Sequence, residues 1–537
     1  MTDTSTKPNI LVVMADQLAA RALPMYGNAV CKAPNLQRLA EGGTVFENAY
    51  CNFPLCVPSR ASMMAGRLTP EIGVWDNACE LPSSQPTIAH WLRRAGYRTM
   101  LTGKMHFIGP DQLHGFDERT VTDVYPADYQ WIADWDAGAA FVPSGTAMNG
   151  VVEAGPAART MQEDYDREVG FVAERAIFDF ARDGDERPWF QIASFTCPHT
   201  PFVVSEDYWN RYHAAEIDEP RVGAIPFEEL DYMSKALFFA HGRHRHDVTR
   251  EHLMAARRAY YGMISFIDDR VGELLDALER SGQAENTVVL FTSDHGDMLG
   301  ERGMWFKQSF HEWSSHIPLL VSLPGARTPE RLPHVCSLVD VLPTLADIAG
   351  ERITVEHDGA SLLPLLRDEA TEWRDVAICD YTGIGPCTPT RMVRRGRHKL
   401  IYTHGHPHLL YDLETDPDEL RNLADDPQHG AALEELLAIC MDGWDPDEID
   451  HEVRASQNRR RILKEVGSPD WNWRARQGDE RRYVRTGGPG GGVDGTKGRL
   501  RLPYVAPAPA DHPELPKEEI EAVLRGERAL SEFARAE

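Results

Sequence analysis

Five short apolar runs, most of them separated by helical patterns, constrain this chain more than any other feature. They are NILVVMAD (Asn9–Asp16), YRTMLTGK (Tyr97–Lys104), PWFQIASF (Pro188–Phe195), NTVVLFTSD (Asn286–Asp294) and IPLLVSLPG (Ile317–Gly325). Continuous apolar strands that alternate with helices predict an α/β fold, a mostly parallel sheet covered by helices on both faces. Ligands of such sheets gather beyond the carboxyl ends of the strands. At 537 residues the chain exceeds one ordinary domain. The pattern changes near Trp373, where MVRRGRHKLIYTHGHPHLLYDLETDPDELRNLADDP reads as two or three antiparallel strands, a turn and a helix. We therefore expect a catalytic domain over residues 1–372, a small α+β domain over 373–455 and an extended tail over 456–537. The tail's TGGPGGGVDG and PYVAPAPADHPELP cannot build a core of their own. Trp471, Trp473 and PYVAP offer apolar anchors, so the tail is expected to pack on a neighbouring subunit of a homo-oligomer, a dimer or tetramer.

Composition narrows the partners. A net charge of −27 argues against a nucleic-acid ligand held by phosphate contacts. It also requires a local positive pocket for any anionic substrate. No run of about 18 apolar residues occurs, so no membrane span is expected. The opening MTDTSTKPN has no apolar leader segment. The nine cysteines are scattered without a CxxC pair, which suits a reducing cytoplasm.

Each apolar run ends in a polar cluster. Asp16 and Gln17 follow the first, Lys104 and His106 the second, and His199 the third in TCPHTPF. Asp294 and His295 close the fourth in SDHGD, with Lys307 a short loop later. One such Asp is as often a cap as a ligand. Several clusters at the ends of one sheet converge on one crevice. Two carboxylates with Gln and His can hold one divalent cation, Ca2+ or Mn2+ rather than zinc. Two lysines, two histidines and Arg60 can hold a tetrahedral oxyanion and its leaving group. HEWSSH (His311–His316) is not a zinc motif, because its histidines stand five apart on a helix. HGRHRHD and HGHPH read as solvated loops, and TGGPGGG lacks the strand and GK[ST] of a phosphate loop.

The stretch PLCVPSRASMMAGR (Pro54–Arg67) places Cys56 at or just before a helix start, with Pro58 in the first turn, where anions are favoured. Alone, a cysteine beside proline is more often a packing residue. C-V-P-S-R followed by Gly66-Arg67 resembles the signature of the sulfatase family. NILVVMADQ, GKMHF, SDHGDMLGERGMWFK and LYDLETDPDELRNLA resemble further segments of that family, from about Pro8 to Pro427. The resemblance implies an alkaline-phosphatase-like fold and a Cys56 converted to formylglycine by a formylglycine-generating enzyme. A hydrated aldehyde carries two hydroxyls: one attacks sulfur and displaces the alcohol, and the other then expels the sulfate and restores the aldehyde. It further implies Asp16, Gln17, Asp294 and His295, with the Cys56 position, around one metal. Arg60 and Lys104 would stabilise charge. His106, His199 and Lys307 would bind the anion or protonate the leaving oxygen.

Within the family, LRRAGYRTMLTGKMHFIGPDQLHGFDE and YPADY are most similar to choline sulfatases, and the Asp-Gln and Asp-His pairs are shared with phosphonate monoester hydrolases. Tyr129 and Trp131 in YPADYQW would offer aromatic faces to a quaternary ammonium, and Asp380 in ICDY a charge. Asn149 matches the Asn of a choline-sulfatase His-Asn pair, with Met148 in place of the histidine. Arg391 near Asp380 would repel a cation if it faces the pocket. The resemblance thus implies a small-molecule sulfate ester substrate, with aryl sulfates hydrolysed and choline sulfate one candidate. The alternatives are a phosphonate monoester or phosphodiester hydrolase with the same machinery, and a silent binding protein, which the complete residue set disfavours.

Overall fold

The computed structural model of the chain describes residues 7–141, 147–325, 330–369, 372–467 and 501–533. An eight-stranded sheet forms its centre. From one edge its strands are Glu330–Ser337, Thr44–Tyr50, Leu319–Ser322, Thr287–Ser293, Asn9–Ala15, Trp189–Ser194, Arg98–Gly103 and Glu118–Val121. Neighbouring strands are parallel except at Leu319–Ser322, which is antiparallel to both of its neighbours. The five apolar runs all became strands of this sheet. The central ones are buried along their whole length, as expected of strands covered on two faces. One helix group comprises Pro34–Glu41, Met161–Phe180 and the 31-residue Arg250–Arg280. A second comprises Cys56–Ala65, Ile88–Arg94 and Val341–Ile348.

Register brings the chemistry together. Ala15 pairs with Ser293 and Gly103 with Ser194, so the chain leaves adjacent strands at Asp16, Asp294, Lys104 and Phe195 on one edge. Gly103 makes the turn into Lys104 at φ +101°, where a Cβ would stand 2.1 Å from the Ser194 carbonyl oxygen. Only glycine allows that approach.

The second domain is a four-stranded antiparallel sheet, Val376–Tyr381, Thr390–Arg395, His398–Thr403 and Leu409–Asp412, backed by the Gly430–Met441 helix. A buried ion cluster joins it to the first domain. Lys399 Nζ lies 2.9 Å from Glu312 and 2.8 Å from Glu419. Burial would raise the Glu312 carboxyl, but Lys399 holds it down at about 2. The HEWSSH histidines serve this junction: His311 Nδ1 is 3.3 Å from Glu419 and His316 Nδ1 3.5 Å from Glu312.

One sequence expectation changes here. HGRHRHD is not a solvated loop. His241 and His246 are buried, and His241 Nε2 meets Gln308 Oε1 at 2.6 Å, because this loop fills the gap beside the Lys307 segment. The tail, as far as it is described, lies on its own chain. Arg501–Leu502 pairs with Arg159–Thr160, the Ala508 amide donates to Glu153, and Ile520 and Val523 of the Lys517–Leu524 helix bury against Phe239. Tyr504 of PYVAP stays 57% exposed. Trp471, Trp473 and TGGPGGG lie outside the described residues. Among the described residues no helix is long and apolar enough to cross a membrane.

The Pro446–Val466 helix runs through residue 456 and is tied down by Arg460, whose guanidinium meets Asp76 at 2.6 and 3.0 Å in a buried bidentate pair. Asp76 also accepts from the Ala78 and Ala133 amides. Breaking one side of such a pair costs about 3–5 kcal/mol, because the other charge stays buried. Arg460→Met should therefore lower the denaturant midpoint of the full chain clearly, and Arg460→Met with Asp76→Asn should recover part of that loss. Equal midpoints for Arg460→Met and the parent would refute the anchoring role.

Candidate active site

Cys56 is the first residue of the Cys56–Ala65 helix. The next amide, that of Val57, donates to Asn77 Oδ1 at 3.0 Å, which fixes the helix start against the neighbouring loop. Ser59 Oγ donates to the Asp294 carbonyl at 2.6 Å. Arg60, one turn along, is fully buried. Its Nε donates to Asp294 Oδ2 at 2.8 Å, and its Nη1 donates to the Lys104 carbonyl at 2.7 Å and to Ser194 Oγ at 2.9 Å. The Cys56–Ala65 helix is thus bolted to three strand ends by one side chain.

The predicted ligands meet at those ends. One ligand atom each from Asp16, Cys56, Asp294 and His295 lies within 4.8 Å of the others, all four residues buried. Cys56 Sγ is 3.3 Å from His295 Nε2 and 3.8 Å from Asp16 Oδ1. His295 Nδ1 meets the Gly296 carbonyl at 3.1 Å. A carbonyl only accepts, so Nδ1 carries the proton and Nε2 faces the cluster with its lone pair. Burial pulls the His295 ring down to about 3, in favour of this neutral form. Burial would raise Asp294, but the guanidinium of Arg60 holds it well below the usual carboxylate range. Two carboxylates, an imidazole lone pair and the Gln17 amide fit a divalent cation. Gln17 stands in left-handed backbone, φ +66°, held by its amide on Asp294 Oδ1 at 3.0 Å and its carbonyl under Tyr260 OH at 2.7 Å.

Around this centre stand the cations and aromatics. Lys104 Nζ is ion-paired with Asp16 and lies 4.4 Å from the centre of the Tyr125 ring. Lys307 Nζ reaches Cys56 Sγ at 3.3 Å, Gln17 Oε1 at 2.7 Å and His199 Nε2 at 2.6 Å. His199 Nδ1 meets the Thr200 carbonyl at 2.6 Å, so its proton sits there and Nε2 accepts from Lys307. His106, at φ +60°, stacks on Tyr125 with centroids 4.8 Å apart and meets Trp131 edge-on at 5.7 Å. Its amide and that of Met105 donate to Asp123, which Arg119 pairs at 3.1 Å.

The substrate-contact residues expected from sequence fare unevenly. Trp131 joins the His106–Tyr125 cluster. Tyr129 is buried with its hydroxyl against Glu80; the ring beside Lys104 and His106 is Tyr125, the first residue of YPADYQW. Asp380 is not available as a counter-charge. It forms a buried pair with Arg391, at 2.7 and 3.2 Å, because the two stand opposite each other on adjacent strands. The same pair neutralises Arg391 as a repulsive cation. Asn149 donates to Glu153 and to the Ala508 carbonyl of the tail, both at 3.0 Å, and Met148 is fully buried. Sequence reading also passed over Ser194, Asn77, Asp123 and Asp297. Only Asp297, inside SDHGD, carried a visible signal.

The comparisons with known proteins bear on this geometry. Residues 8–351 match the family described as Sulfatase. The chain belongs to the sulfatase family. Residues 300–441 of this sulfatase also match the C-terminal region of N-sulphoglucosamine sulphohydrolase, which spans the antiparallel sheet. It is 42% identical over 497 residues to a choline-sulfatase of Rhizobium meliloti (strain 1021), covering 90% of this chain and 96% of that protein. To an arylsulfatase of Clostridium perfringens (strain 13 / Type A) it is 30% identical over 468 residues, 81% and 94% of the two chains. The crystal structure of a phosphonate monoester hydrolase of Agrobacterium radiobacter superposes with a TM-score of 0.66 at 26% identity, covering 84% of this sulfatase and 96% of that chain.

Asp294→Asn keeps the shape of the side chain and removes the charge that Arg60 and the cluster share. We expect elemental analysis of this variant to show loss of bound divalent metal, with kcat/KM lowered by at least about a hundredfold. Unchanged metal content and activity would refute the assignment.

Proposed function

We propose that this sulfatase hydrolyses small sulfate monoesters, with choline sulfate preferred and a formylglycine made from Cys56 as the attacking group. The observation that carries the reading is the seat of Cys56: the start of a buried helix, 3.3 Å from both Lys307 and His295. Burial pushes the thiol up against the pull of Lys307, so a thiolate nucleophile is disfavoured, whereas the C-V-P-S-R run supports conversion to the aldehyde. A formylglycine hydrate at position 56 would supply one hydroxyl to attack sulfur, displacing the alcohol, and a second whose deprotonation would release the sulfate and restore the aldehyde. Asp16, Gln17, Asp294 and His295 would hold a divalent ion, Ca2+ or Mn2+, whose charge would polarise the ester oxygens. Arg60 keeps Asp294 ionised, and Lys104 holds Asp16 in place. Lys307 and His199 form a donor–acceptor pair beside the nucleophile, able to deliver a proton to the leaving oxygen.

Support for choline comes from the 42% identity to a choline-sulfatase over most of both chains. Trp131 and Tyr125 add aromatic faces suited to a quaternary ammonium. A second reading, phosphonate monoester hydrolysis, rests on the likeness to the Agrobacterium radiobacter enzyme. A reducing compartment such as the cytoplasm suits the nine cysteines, none of which is disulfide-bonded.

Protein made with a formylglycine-generating enzyme should yield a Cys51–Arg60 peptide that carries the aldehyde by mass spectrometry, and activity should scale with that fraction. On the same preparation kcat/KM for choline sulfate should exceed that for an aryl sulfate and an aryl phosphonate monoester by more than about tenfold, roughly 1.4 kcal/mol of transition-state preference. A phosphonate lead of that size replaces the sulfatase reading. Activity from a fully unmodified thiol removes the proposed nucleophile.

A further inference from the structure

A glutamine placed to ligate a metal has a built-in ambiguity. Its amide is nearly symmetric in shape, and turning it over exchanges an oxygen that accepts for an NH2 group that donates. Around Gln17 every other polar atom is already fixed, since its backbone amide rests on Asp294 and its carbonyl under Tyr260. The side chain has two polar neighbours. On one side Lys307 Nζ, which can only donate as an ammonium, lies 2.7 Å from Gln17 Oε1 and also touches the sulfur of Cys56. On the other side Gln17 Nε2 donates to Asp297 Oδ2.

Asp297 is fully buried. Its Oδ1 accepts from the backbone amides of Leu299 at 2.7 Å and Phe306 at 3.1 Å. Those two bonds close the loop that carries Lys307, so the carboxylate is itself fixed by backbone and cannot turn. Every group that touches it donates, and no ion pair takes its charge among the described residues. A buried carboxylate held in this way, one bond behind a residue of the site, is unexplained by packing alone.

We propose that Asp297 is a positioning residue that locks the Gln17 amide with its oxygen toward Cys56 and Lys307. The inference rests on the reading of Gln17 as a metal ligand given above. Without the lock the amide could present Nε2 to the ammonium of Lys307 and to a bound cation, a repulsive contact and a lost ligand at once. Asp297 also couples the two halves of the site, because the backbone that fixes it leads directly into Lys307.

Asp297→Asn tests this with almost no change of shape. The substituted side chain keeps one oxygen on the Leu299 and Phe306 amides, so its NH2 group faces residue 17 and drives the Gln17 amide to turn over. Titration calorimetry of Mn2+ into metal-free full-length protein should show binding weakened about tenfold or more, the usual scale for an outer-shell partner. The thermal midpoint of the metal-free protein should stay near that of the parent. Adding Gln17→Glu should restore Mn2+ binding to within a few-fold, since a carboxylate offers oxygen to both sides. A crystal structure of metal-free Asp297→Asn should show Lys307 Nζ withdrawn from residue 17. Parental Mn2+ affinity in Asp297→Asn overturns the proposal. So does weak binding that Gln17→Glu fails to restore, which would mark a purely structural role. If the parent itself binds neither Mn2+ nor Ca2+, the metal reading falls, and the Lys307 position in the Asp297→Asn crystal then decides the lock alone: an unmoved Nζ overturns it.

Discussion

The site depends on one buried guanidinium. Arg60 reaches from the Cys56–Ala65 helix to the Asp294 carboxylate, the Lys104 carbonyl and the Ser194 hydroxyl. Each of those groups ends a different strand of the central sheet. A planar fork with five donors can bridge them in one geometry, which a lysine could not. Desolvating the charge is expensive, and the offset is Asp294, with Asp16 3.9 Å away. The same contact holds Asp294 ionised, so the architecture of the sheet and the charge state of this carboxylate are one interaction seen from two sides.

The remaining cations follow from that arrangement. Asp16 is taken by Lys104, whose ammonium also rests on the Tyr125 face. Tyr125 in turn stacks on His106 and reaches His199 Nδ1 at 3.3 Å through its hydroxyl. Lys307 bridges His199, Gln17 and Cys56. The result is a buried cluster in which Arg60, Lys104 and Lys307 gather around Asp16 and Asp294, in a chain of net charge −27.

Much of this was legible in the sequence, for a physical reason. Strands buried on both faces are continuous apolar runs, so their ends, and the polar residues just beyond, could be read directly. What failed the reading lacks that signature. Glu330–Ser337 and Glu118–Val121 are partly exposed edge strands with mixed composition, and the first carries Pro333 at a break in its register. The direction of Leu319–Ser322 leaves no mark in an apolar run. Asp380 and Arg391 look like separate charges eleven residues apart until strand pairing sets them face to face. Tyr125 and Asp297 act through loops whose course no periodicity encodes. Asn149 is spent on Ala508, a partner 359 positions away.

The burial of Cys56 has a consequence for how the chain is made. The residue is only 1% exposed, and the wall that covers it includes His295, 239 positions later. At about 5–20 residues per second the ribosome needs on the order of ten to fifty seconds to deliver that wall. During that interval the C-V-P-S-R segment is accessible as nascent chain, and afterwards the fold closes over it. Any enzyme that remodels this side chain therefore competes with folding rather than acting on a finished product, and a preparation synthesised without it is set in its chemistry before purification begins.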